Sequence, residues 1–286
     1  MSVGTVPRWF GGVALTDRAR ALIAESRRRR VLTPLAYASL WHQAAPRTSQ
    51  REALAMLAEP GILVALLTGG NRTGKSELGA MYAVASAAGR DAVIVDGNGK
   101  RPVYWVRKFL ARACLPAHLV RKQPSDVWAC SPTFAAARKQ IRPKIRRWVP
   151  QGSSTVGWNS TSEAEIVIAG TGGKGIITSK AYRQFDADSQ TWEGAAIGAL
   201  ILDEQPNSYN CLAAGLSRCV DFKARALMCV TPLRGKRDWL YQRFIRDPAP
   251  WMAHRSLHGV DNPHIDEATR QLMLASQPAW SRNSRD

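Results

Sequence analysis

The chain has 286 residues, 45% of them hydrophobic, and carries 40 Lys and Arg against 22 Asp and Glu, for a net charge of +18. That supports a substantial core, in one large domain or two small ones, and a surface basic enough to imply a polyanionic partner, with nucleic acid the default. No apolar run approaches the ~18 residues of a membrane span, the longest being the strand-sized Ile62 to Leu67. The first residues, MSVGTVPRWFGG, lack the apolar core of a secretory signal. Five cysteines (Cys114, Cys130, Cys211, Cys219, Cys229) form no CxxC pair, so free thiols in a reducing compartment are expected.

Residues 1–45 read as helical and basic, with RARALIAESRRRR (18–30) the densest charge run. After PRTSQREALAMLAEPG, the apolar run GILVALLTGG predicts a buried strand ending in a glycine turn. Ser76 to Ala88, rich in Ala, Leu and Met and free of Pro, predicts a helix. SDVWACSP (125–132) predicts a strand, and FAAARKQIRPKIRRWVP a basic helix bent at Pro143. AEIVIAG and GIITSK around TGGK predict a β-hairpin. AIGALILDEQP predicts a strand ending in two acids, and ARALMCVTPLRG a strand ending at Thr-Pro. The last fifty residues are mixed, polar and punctuated by proline. Buried strands alternating with helices give an α/β fold with a largely parallel sheet.

Gly69, Gly70, Asn71, Arg72, Thr73, Gly74, Lys75 and Ser76 fit G-x-x-x-x-G-K-[ST], the Walker A pattern, in full. Its glycines let backbone N–H groups turn inward around phosphates, with Lys75 reaching the β- and γ-phosphates and Ser76 ligating Mg²⁺. A strand before it and a helix after it are the context the motif demands. Leu200-Ile201-Leu202-Asp203-Glu204 has the form of a Walker B strand. Asp203 is then the second Mg²⁺ ligand and Glu204 the base that polarises the attacking water. The pair favours hydrolysis over transfer to a second substrate. His254, His258, Asp261 and His264 cluster, with His254 and His258 at helical spacing, but no HExxH accompanies them and a zinc site is not expected. No GxSxG supports a serine triad.

Phosphate loop, basic helix, acidic strand and the strand ending Cys229-Val230-Thr231-Pro232 follow in an order that resembles the ATPase domain of tailed-bacteriophage large terminase subunits. The resemblance covers about residues 46–270 and includes GGNRTGKS with its internal arginine, VWACSP, the hairpin and acidic strand, CVTP, and VDNPHI (260–265), similar to an Asp-Asn-Pro signature. It implies a RecA-like, ASCE-type P-loop core over residues 46–235. A basic N-terminal segment (1–45) and a C-terminal segment (236–286) would form a small helical lid or linker, with no nuclease domain in the chain. It further implies that Arg72 stabilises the γ-phosphate, Gln50 contacts adenine, and Thr231 couples hydrolysis to motion. The implied function is Mg²⁺-dependent ATP hydrolysis driving double-stranded DNA into a procapsid in the host cytoplasm. Partners would be further copies in a ring on the portal protein and a small terminase subunit, without a membrane. The competing readings are a helicase-like ATPase, and an ATP-binding DNA assembly protein with little turnover. Lys139, Arg142, Arg146 and Arg147 of the basic helix are candidate phosphate contacts.

Overall fold

The computed structural model describes residues 17–40, 49–70, 72–95, 102–151, 154–155, 165–170, 173–231, 238–259 and 262–275. Expectations for Asn71, Pro232 and Asp261 lie outside these residues. In chain order the elements are α1 (Asp17–Leu32), α2 (Gln50–Leu57), β1 (Val64–Thr68), α3 (Lys75–Ala88), β2 (Val93–Val95), β3 (Pro102–Tyr104) and α4 (Trp105–Arg112). Next come β4 (Val127–Ser131), α5 (Phe134–Lys139), α6 (Ile141–Trp148), β5 (Ser154–Thr155), β6 (Glu165–Gly170), β7 (Gly173–Ala181) and α7 (Tyr182–Ala187). The chain continues through β8 (Ala199–Asp203), α8 (Tyr209–Ser217), β9 (Arg225–Val230), α9 (Trp239–Tyr241), β10 (Met252–Ser256) and α10 (Glu267–Ala275).

Eight strands form one sheet in the order β10-β1-β9-β8-β4-β7-β6-β5. The first six are parallel to their neighbours, while β6 and β5 add on in antiparallel fashion. β1, β4 and β8 are buried at every residue, as strands covered on both faces must be. On one side pack α2, α3, α4 and α6, burying Leu54, Leu78, Val84, Phe109, Ile141 and Ile145. On the other, Trp128, Tyr182, Trp192, Cys211, Leu212 and Phe244 close a second core. One strand, β9, separates the strand before the phosphate loop from the strand ending in the acids, the insertion that defines ASCE-type P-loop folds. All six parallel strands run the same way, so Thr68, Asp203 and Val230 emerge together at one edge of the sheet, where ligands of open α/β sheets sit.

Two expectations need correction. The basic segment breaks at Gln140 rather than bending at Pro143, giving α5 and α6. Pro143 occupies the first turn of α6, where its missing N–H costs nothing, and its ring would clash with the carbonyl four residues back. That residue is Lys139, the last of α5. His254 lies on β10, not on a helix. Because β10 pairs with β1 along its full length, the sheet also draws on residues beyond the 46–235 span read for the core.

Candidate functional site

The loop after β1 is shaped by local conformational needs. Gly74 opens α3 with φ 78°, a left-handed conformation that glycine adopts without strain. Gly69 lies so close to the residue that follows β10 that a Cβ there would stand 2.3 Å from the Leu257 carbonyl oxygen. Arg72 is left-handed as well, at φ 63°; for a non-glycine residue this costs roughly 1–2 kcal/mol. Inside the loop, Lys75 Nζ donates to the carbonyls of Gly69 (2.7 Å) and Gly70 (2.8 Å) and to Thr73 Oγ1 (3.2 Å). Thr73 Oγ1 in turn donates to Gly70 O at 3.0 Å. Burial lowers the Lys75 ammonium below the usual lysine range, against the opposing pull of Glu204 and Asp203. The Arg72 side chain is exposed at the loop tip.

Asp203 ends β8 at 1% exposure, and neither carboxylate oxygen has a hydrogen-bond partner. Burial raises its pKa above the ordinary carboxylate value, while the nearby Ser76 hydroxyl, Lys144 and Lys75 pull it back down. Ser76 acts through proximity here, without the geometry of a hydrogen bond. A buried carboxylate with two unmatched oxygens beside a serine hydroxyl fits a hard cation that also takes phosphate and water oxygens. Among the described residues no cluster of three or more His, Cys, Asp or Glu could cage a metal unaided.

Glu204, the next residue, turns out of the strand at φ 68°. Three contacts hold this strained turn. Its N–H donates to Cys229 O (2.9 Å), and its carbonyl accepts the Tyr182 hydroxyl at 2.9 Å. Its carboxylate is clamped at both oxygens by Thr231, through the backbone N–H (3.0 Å) and Oγ1 (3.1 Å). The pairing of β8 with β9 brings the two acids beside Thr231 in this way. Tyr182 was invisible in the sequence, since nothing marks a tyrosine after GIITSKA. Its buried hydroxyl also faces the carbonyls of Cys130 and Asp203 at 3.4 and 3.3 Å, tying the ends of β4 and β8 together.

Gln50 is buried at the first position of α2, whose start is fixed by a capping box between Ser49 and Glu52. Its Nε2 donates to Gly74 O at 3.1 Å, so the residue reaches the loop from across the fold. The structure thus brings together Gly69, Gly70, Arg72, Thr73, Gly74, Lys75, Ser76, Gln50, Asp203, Glu204 and Thr231. His254, by contrast, is spent on structure: its Nε2 bonds Thr68 Oγ1 at 2.8 Å. On the basic helices, Arg142 is no surface contact. It is 8% exposed and its Nε donates to Ser179 Oγ at 3.0 Å. Lys139, Arg146 and Arg147 are exposed, and Arg147 pairs with Glu77 at 3.0 Å. Glu77 Oε1 also accepts Trp148 Nε1 at 2.8 Å, which pins α6 to the first turn of α3.

No family model and no curated protein matches the sequence. Among solved structures, the chain has the fold of the large terminase from a thermophilic bacteriophage, with a TM-score of 0.58 at 11% identity over 83% of this chain. Crystals of that terminase with ADP and with ATP-γ-S give TM-scores of 0.55 and 0.54 at 14% and 12% identity, again over 83% of this chain. This chain spans about half of each of those proteins, 51–52% of their length. No helix among the described residues is long and apolar enough to cross a membrane.

Proposed function

We propose that the chain binds and hydrolyses ATP as the motor core of a viral DNA-packaging enzyme. The observation that carries this reading is the juxtaposition of a complete phosphate loop with the Asp203–Glu204 pair at one sheet edge, Glu204 being held at both oxygens by Thr231. Lys75 would exchange loop carbonyls for the β- and γ-phosphate oxygens, and loop N–H groups with the start of α3 would cradle them. Mg²⁺, held by Ser76 and Asp203, would neutralise charge across the phosphates. Glu204 would orient a water in line with the γ-phosphate and take its proton. Arg72, at the loop tip, would brace the charge developing on the transferred phosphoryl group. Gln50 would contribute to holding the nucleotide, since its amide already touches the loop.

Thr231 would couple hydrolysis to motion. Its two bonds to Glu204 support this role, since a change around the γ-phosphate would reach Thr231 through that carboxylate, and the chain leaves β9 at that residue. The net charge of +18 and the exposed Lys139 and Arg146 support a nucleic-acid track. Copies of the chain in a ring on a portal, and a small subunit that selects DNA, complete the reading. A duplex carrying a third-strand oligonucleotide tests it. A double-stranded DNA motor strips the third strand only with hydrolysable ATP, and does so less at high salt. Unwinding of the duplex itself would favour the helicase-like reading. ATP turnover with neither event would remove translocation from the account.

A further inference from the structure

The signature Asp-Asn-Pro has no part in the chemistry just described, yet its asparagine reaches the phosphate loop. Asn262 Nδ2 donates to the backbone carbonyl of Arg72 at 2.8 Å, across 190 residues of sequence. The rest of the amide is also engaged. Asn262 Oδ1 accepts the N–H of His264 at 3.0 Å, closing an Asx turn. The Asn262 backbone bonds Gly259 O (3.1 Å) and accepts Ile265 N–H (3.1 Å), and Ile265 is buried in the fold. The side chain therefore stands on an anchored turn with one donor aimed at the loop.

The acceptor is an unusual one. Arg72 is the only non-glycine residue of the described loop with a positive φ, at 63°. In that conformation its carbonyl accepts the Asn262 amide, so the contact falls on the strained residue of the loop. The same stretch of chain also grips the loop at its base. Leu257 N–H donates to Thr68 O at 2.8 Å, and the Leu257 carbonyl packs against Gly69. Thr68 Oγ1 bonds both His254 and Ser256 of β10. Base and tip of the phosphate loop are thus attached to nearby residues of the same stretch of sequence, His254, Ser256 and Leu257 at the base and Asn262 at the tip.

We propose that Asn262 is a positioning residue for the phosphate loop. By holding the Arg72 carbonyl it fixes the left-handed turn that sets the loop's shape and the direction of the Arg72 guanidinium. The inference rests on the reading that this loop binds nucleotide. It gives Asn262 a role in the nucleotide site.

Calorimetric titration with ATP-γ-S and with ADP, alongside thermal melting, tests it in three variants. Asn262→Asp keeps the Oδ1 acceptor for His264 but turns an oxygen toward the Arg72 carbonyl, whereas Asn262→Ala removes both contacts. Asn262→Asp is expected to weaken ATP-γ-S about five- to tenfold, with the melting temperature unchanged. Unaltered affinity for both nucleotides in Asn262→Asp overturns the inference. So does a loss that merely follows a lowered melting temperature in both variants, since the turn is then only structural. Arg72→Ala keeps the carbonyl and loses the guanidinium. If Arg72→Ala binds ATP-γ-S normally while Asn262→Asp does not, the γ-phosphate role of Arg72 falls and the positioning role of Asn262 stands. An unmodified chain that binds neither nucleotide removes the nucleotide reading and this inference with it.

Discussion

Glu204→Gln is expected to lower ATP turnover by about 10²–10⁴-fold, the range for loss of a positioned general base, while ATP-γ-S still binds. The substitution is nearly isosteric, so the φ 68° turn and the Tyr182 hydroxyl bond to the 204 carbonyl should persist. Two things change. The amide cannot accept the proton of an attacking water, and its NH₂ cannot accept from Thr231, which donates to both oxygens of the native carboxylate. One donor of Thr231 is then opposed by another donor, so the side chain is also displaced from its place. Loss of kcat without loss of nucleotide affinity marks an interaction made only in the transition state. Single-turnover phosphate release beside equilibrium binding separates the two effects. Equal loss of binding and turnover would instead place Glu204 in the cradle rather than in the chemistry.

Asp203→Asn should abolish Mg²⁺-dependent turnover and yet melt no lower than the unmodified chain. The Asp203 carboxylate is almost wholly buried with both oxygens unmatched, a situation that costs a folded protein about 1–3 kcal/mol. The sign of the pH dependence follows from the raised pKa. The folded state holds the proton more tightly than the unfolded chain, so this residue favours folding while it is protonated. That contribution is lost as pH rises through the raised folded-state value. The asparagine variant has no such loss, so its advantage in melting temperature should grow across that window and remain at neutral pH. Adding Mg²⁺ with ADP should reverse the order, since a ligand that binds only the folded state stabilises it, and the variant has lost a cation ligand. A variant that melts well below the unmodified chain at neutral pH would mean that Asp203 holds the fold rather than the metal.

The two acids and the loop were legible in the sequence because their chemistry demands fixed residue types at fixed spacing. The strands that carry them were legible because β1, β4 and β8 are buried at every residue and β9 at all but its first, so they read as largely apolar runs. β10 was not legible. MAHRS at a sheet edge is half-exposed and has no apolar periodicity, so only its pairing with β1 defines it. The break at Gln140 was hidden for a different reason: a proline marks the clash it makes four residues upstream, not its own position. Arg142 was misassigned because composition shows a basic helix but not which face turns inward. Tyr182 and the link from Asn262 to Arg72 belong to a third kind. They depend on single hydrogen bonds between distant segments, and no local pattern encodes those.

ATP hydrolysis by the chain as it stands, with Mg²⁺ and with Lys75→Ala measured in parallel, is the most direct test of the central claim. Lys75 lies at the heart of the loop, bonded to Gly69 and Gly70, and its alanine variant should lose the phosphates first. The account predicts phosphate release that requires Mg²⁺, rises with protein concentration if a neighbouring copy completes the site, and is lost in Lys75→Ala. Nucleotide binding without release in the unmodified chain at any concentration, or release that survives Lys75→Ala, would contradict it. The first of those results would favour a DNA-binding assembly protein that keeps ATP as a structural ligand.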